Sequence, residues 1–189
     1  MIKNIFSQSR RRIYIGCLNV LPKKFAALKI IFGRTKRKMK ITICSRKTIC
    51  DLIKNDSLKS SAVISFCDPP DSRKRFRDEN YCPVNLNGLC ARVLYVCVYD
   101  LDIEALSDFG LTPDTYYTEA KEVAEFVKKA VSDGLEIVCQ CEYGQSRSAG
   151  CAAAILQYYE KDGISVFANY KYYPNQLIYN KTYSALCEK

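Results

Sequence analysis

The sequence predicts an α/β fold with a central, mostly parallel sheet of four or five strands flanked by helices. Three observations carry that expectation. Short β-branched runs recur along the chain, segments with apolar residues at helical spacing separate them, and glycine, proline and aspartate punctuate the joints. From Met39 onward, Lys40 to Cys44 alternates as a short strand. Ser45 to Lys54 reads as a helix with Ile49, Leu52 and Ile53 on one face. Ala62 to Cys67 (AVISFC) is a compact strand closed by Asp68-Pro69-Pro70. The stretch that follows carries Arg73, Lys74, Arg75 and Arg77; it reads as a solvated loop, or alternatively as a rim for an acidic or phosphorylated substrate.

Arg92 to Tyr99 (RVLYVCVY) is the strongest strand, almost entirely β-formers. Thr112-Pro113-Asp114 predicts a helix start with proline at the first helical position. Ala120, Val123, Ala124, Val127 and Val131 then recur at helical spacing until Asp133-Gly134. Leu135 to Cys139 predicts another strand, and Ser148 opens a run of small residues that reads as a close-packed helix. Pro174 to Leu186 predicts a final helix.

The chain has 189 residues, with 29 Lys plus Arg, 20 Asp plus Glu, 11 Cys and no His. Without histidine there is no Ser-His-Asp or Cys-His relay and no imidazole metal ligand. The net charge of +9 is unevenly spread. Residues 1–38 hold eleven basic and no acidic residues, leaving 18 basic against 20 acidic in the rest. Nucleic-acid or anionic-membrane contact is therefore expected only through residues 1–38. Those residues read as a basic extension, either disordered or an early-start artefact, and 39–189 as the catalytic domain. No apolar run approaches the roughly 20 residues of a membrane-spanning helix. The odd cysteine count, with no CxxC pair, fits reduced thiols in a cytoplasmic protein, and a monomer is expected.

Two segments pair a cysteine with an arginine six positions later, Cys67 to Arg73 and Cys141 to Arg147. Gripping a tetrahedral oxyanion takes consecutive backbone N–H groups converging on one point, best at a helix N-terminus. The first segment contains Pro69 and Pro70, which lack those groups, and no helix follows it. The second has no proline, has Gly144 at mid-loop and lies between a strand and a helix. Glu142, Tyr143, Gly144, Gln145, Ser146 and Arg147 are therefore the candidate phosphate-binding residues.

Cys141 through Ser148 resembles the signature loop of the cysteine-dependent tyrosine and dual-specificity phosphatases. AVISFCDPP (62–70), VLYVCVYDL (93–101), Glu122 to Lys129 and Tyr172-Tyr173-Pro174-Asn175 look like further blocks of a small prokaryotic dual-specificity-like subgroup, in the right order. The resemblance implies a phosphatase-type fold and phosphomonoester hydrolysis without a cofactor or metal. Cys141 would be the nucleophile, Arg147 the phosphate clamp and Ser148 the donor to sulfur. An aspartate after the third strand would be the general acid: Asp100 first, Asp102 second, Asp108 third. The partner would be a phosphotyrosine or phosphoserine/threonine protein, or another phosphomonoester such as a nucleotide, an RNA end or an inositide. Gln140 stands where the group usually has histidine, and Tyr143 is bulky enough to form part of a pocket wall. That departure leaves open a catalytically weak module that captures phosphoprotein. Cys139 and Cys151 are expected to be buried fillers or resolving thiols.

Overall fold

A computed structural model describes residues 39–70 and 82–188. The expected extension 1–38 and the basic run 73–77 lie outside the described residues. Strand β1 (Ile41–Ser45) leads into helix α1 (Arg46–Lys54), and Ser45 caps it by accepting the Thr48 amide. β2 (Ser61–Cys67) and β3 (Arg92–Cys97) follow, then two 3-10 turns (Ile103–Ala105, Ser107–Phe109). The order continues with α2 (Ala120–Ser132), β4 (Glu136–Cys141), α3 (Arg147–Glu160), the short α4 (Ile164–Phe167) and α5 (Gln176–Cys187). The described strands form one sheet in the order β1-β4-β2-β3, every neighbour parallel.

Alternation along the strands sends side chains to two cores. Ala62, Ile64, Phe66, Ile137 and Cys139 pack with Val123 and Val127 of α2, Ile155 of α3 and Ile178 of α5. Val63 and Val138 face the other way, onto Cys44, Ile49, Leu58 and Leu86. Val123 and Val127 are fully buried on the helical stripe read from the sequence, each contributing about 1.5–2 kcal/mol. Among the described residues no helix is long and apolar enough to cross a membrane.

Three expectations need correction. The helix expected from Thr112 begins at Ala120. Thr112 and Thr115 instead close a turn through their hydroxyls, and Tyr117 takes a left-handed φ of 52°, which no helix can pass through. Burial explains the cost: Tyr117 is enclosed and its hydroxyl meets Thr182 Oγ1 at 3.0 Å. The strand expected to reach Tyr99 stops at Cys97, because its partner β2 ends at Cys67 and the Val98 amide to the Cys67 carbonyl, at 3.0 Å, is the last bond of that ladder. The strand expected to stop at Cys139 runs on to Cys141, because Gln140 and Cys141 pair with Cys44 and Ser45 of β1.

Candidate active site

Cys141 is the last residue of β4 and Arg147 the first of α3, so the six-residue spacing is a strand-to-helix turn. Gly144 makes that turn possible. Its φ is +70°, and a Cβ there would lie 2.6 Å from the Cys44 carbonyl carbon and the Ser45 nitrogen. The scaffold takes up three of the loop's carbonyls. Glu142 O accepts the Arg46 amide (3.0 Å), Gln145 O the Tyr173 amide (2.9 Å), and Ser146 O the amides of Gly150 (2.8 Å) and Asn175 (3.2 Å). The Glu142 carboxylate also lies 3.6 Å from the Arg46 guanidinium, tying the loop to α1. With those carbonyls held outside, amide hydrogens are left for the interior, the arrangement of an anion nest.

The Cys141 sulfur occupies that interior, 2% exposed. The Gly144 N–H donates to it at 3.2 Å, and Ser148 Oγ lies 3.1 Å away. A fourteen-residue helix starts just beyond, its N-terminal field favouring negative charge. Gln140 is buried on the opposite face of β4. Its Oε1 accepts from Ser65 Oγ at 2.6 Å, and its Nε2 donates to the Cys141 carbonyl at 2.8 Å. An uncharged amide thus fixes the Cys141 backbone.

Arg147 is 3% exposed, and carboxylates and a carbonyl surround its guanidinium. Its Nη1 donates to Asp68 Oδ1 at 2.6 Å and to the Val98 carbonyl at 2.8 Å. Asp100 Oδ2 stands 3.7 Å from Nε, which is buried without a hydrogen-bond partner. Burial alone would lower the guanidinium's pKa; Asp68, Asp100 and then the Cys141 sulfur outweigh it and hold it above its ordinary value.

Of the three candidate acids, Asp100 lies against the loop. Its Oδ1 accepts from Ser146 Oγ at 2.6 Å and from Asn175 Nδ2 at 3.2 Å. Asp102 lines the same cleft of about 500 Å³, with Ser146, Tyr172, Tyr173 and Gln176. Asp108 sits in the second 3-10 turn and does not line that cleft. Tyr143 is 77% exposed and is not among the residues lining that cleft. Cys139 and Cys151 are fully buried, as fillers would be.

Sequence reasoning missed Asp68 and Asn175 as site residues. In the sequence Asp68 reads as part of a strand stop and of the block 62–70, with no role of its own, although residues just past the C-terminal ends of parallel strands are where α/β sites gather. Asn175 follows a proline and opens a helix, which signals a cap. It does cap α5 by accepting the Ile178 amide at 3.0 Å, while its Nδ2 holds Asp100 and the Leu101 carbonyl (2.9 Å). Among the described residues no cluster of three or more His, Cys, Asp or Glu is grouped to hold a metal ion.

No family model matches the sequence, and no curated protein does. Solved structures do match. The chain is similar to the human tyrosine phosphatase-like serine/threonine/tyrosine-interacting protein, with 16% identity, 74% of this chain and 83% of that one covered, and a TM-score of 0.46. It is similar to Tk-PTP in its active form at 12% identity, with 77% and 89% covered and a TM-score of 0.47. For PTPMT1 the identity is 14%, the coverage 78% and 89%, and the TM-score 0.45.

Proposed function

We propose that the protein hydrolyses phosphomonoesters, with phosphorylated protein as the substrate class, through a cysteinyl-phosphate on Cys141. One observation carries the reading. The Cys141 sulfur sits among hydrogen-bond donors at a helix N-terminus, beside a buried arginine whose Nε still lacks an acceptor. A phosphoryl group in the loop supplies that acceptor. Cys141 attacks phosphorus as a thiolate, which the Gly144 amide and Ser148 stabilise. The P–O bond to the substrate breaks as the S–P bond forms, and Asp100, protonated, gives its proton to the departing oxygen. Arg147 holds phosphoryl oxygens as charge develops. Water then attacks phosphorus, returning a proton to Asp100 and phosphate to solvent, while Ser148 donates to the leaving sulfur.

A second reading, phosphoprotein capture without turnover, is favoured by Asp100 being held as an acceptor by Ser146 and Asn175. Incubating the full chain with 4-nitrophenyl phosphate and a chelator separates the two. Chelator-insensitive release of nitrophenol supports hydrolysis. Phosphate binding without release supports capture, and neither binding nor release overturns both.

A further inference from the structure

We infer that Cys67 and Cys97 form a reversible disulfide, a modification site apart from the nucleophile, which staples together the two strand ends that hold Arg147. The two cysteines are register partners on the parallel strands β2 and β3, and their sulfur atoms lie 2.9 Å apart. Neighbouring strands run about 4.8 Å apart, inside the ~4.4–6.8 Å Cα separation that a disulfide spans. Little backbone movement is needed to close the bond.

Access and position complete the case. β3 is one of the two edge strands of the described sheet, and Cys97 is exposed while Cys67 is buried. Cys139 and Cys151, by contrast, are sealed in the core. The residues that follow the pair are the ones that grip the arginine. Asp68 Oδ1 and the Val98 carbonyl both accept from Arg147 Nη1, and the Val98 amide bonds the Cys67 carbonyl. A bond between the sulfurs therefore sits one residue behind the clamp on both strands.

The oxidant is a small-molecule disulfide such as oxidised glutathione. The exposed Cys97, as thiolate, attacks one glutathione sulfur, forming a mixed disulfide and expelling a glutathione thiolate. Cys67 then gives its proton to solvent and attacks Cys97 Sγ, expelling the second glutathione. The pair loses two electrons and the glutathione disulfide gains them as two thiols. Burial, and then the hydrogen bond and charge of Cys97, push the Cys67 thiol up to about 12. Cys97 is accordingly the opener and Cys67 the closer, and the charge that Cys97 contributes vanishes once it is in the mixed disulfide.

The staple itself does not depend on the hydrolase reading, and its test uses no turnover. The full chain, unsubstituted and as Cys141→Ser, is equilibrated with oxidised glutathione, alkylated, mapped without reduction and melted. The expected result in both is a peptide joining Cys67 to Cys97 and a Tm raised by about 5–10 °C. Reductant reverses both changes, and adding Cys97→Ser or Cys97→Ala prevents them. Alkylation of both cysteines, glutathione left on Cys97, linkage to another cysteine, or a link without a rise in Tm overturns the proposal.

Discussion

Cys67 and Cys141 end adjacent parallel strands, and both are buried, yet their sulfurs have opposite surroundings. Cys141 is met by a donating amide and a hydroxyl. Cys67 has the Val96 carbonyl at 3.6 Å to donate to and another thiol at 2.9 Å. Acceptors and burial favour a neutral thiol; donors favour a thiolate. Cys67 is raised to about 12 accordingly. The difference begins with the residues that follow. Pro69 and Pro70 bring no N–H groups, whereas Glu142 to Ser146, with Gly144 at the bend, can curl amides back onto the sulfur. Strand position and burial are shared; the donor set separates the candidate nucleophile Cys141 from Cys67.

The largest contrast is between the two thiols. Cys141→Ser should abolish aryl phosphate turnover, by at least about 10⁴-fold, and retain phosphate binding. Cys67→Ser should leave turnover within a few-fold, and steady-state rates of both variants check this.

Next comes the acid. Asp100→Asn should reduce phosphotyrosine turnover at least about 100-fold, and activated aryl esters much less, because their leaving groups depart without a proton. The alkaline limb of the pH-rate profile should flatten. Asp102→Asn should be milder on both counts. If the order is reversed, Asp102 is the acid, and its place in the same cleft supports that outcome.

Asp68 and its strand end, which serve Cys141's loop from a distance, should have a smaller effect. Asp68→Asn keeps the shape and removes the charge that Arg147 faces. We expect kcat/KM to fall about tenfold with the leaving-group dependence unchanged, and Asp68→Glu to recover part of the loss. A changed leaving-group dependence would instead make Asp68 a proton donor.

Much of this architecture was legible because its causes are local. The alternation of strand runs and helical stripes, the Gly144 turn and the spacing from Cys141 to Arg147 are written in neighbouring residues. The rest depends on the sheet order. Asp68 and Val98 reach Arg147 only because β2 lies between β4 and β3. Asn175 reaches Asp100 across 75 positions. The false helix start at Thr112 has the same origin: its local signal is sound, but the burial of Tyr117 against Thr182 overrides it.

The smallest predicted effect is on stability. Burial, and then the charge of Cys141, raise the Cys44 thiol from 9.0 to about 12. Between those values the folded protein holds a proton that the unfolded chain has lost, so stability falls as pH rises through the window. The slope per thiol is at most about 1.4 kcal/mol per pH unit. Denaturant melts across that range check it, and a flat profile would mean that Cys44 is not held neutral.

The most direct test of the central claim is to catch the intermediate. Full-length protein turning over an aryl phosphate is quenched in acid within the first turnovers and mapped by mass spectrometry. The expected result is phosphate on the peptide carrying Cys141 and on no other cysteine. Turnover with no phosphate on Cys141, or with phosphate on Cys67, would contradict the assignment of the nucleophile.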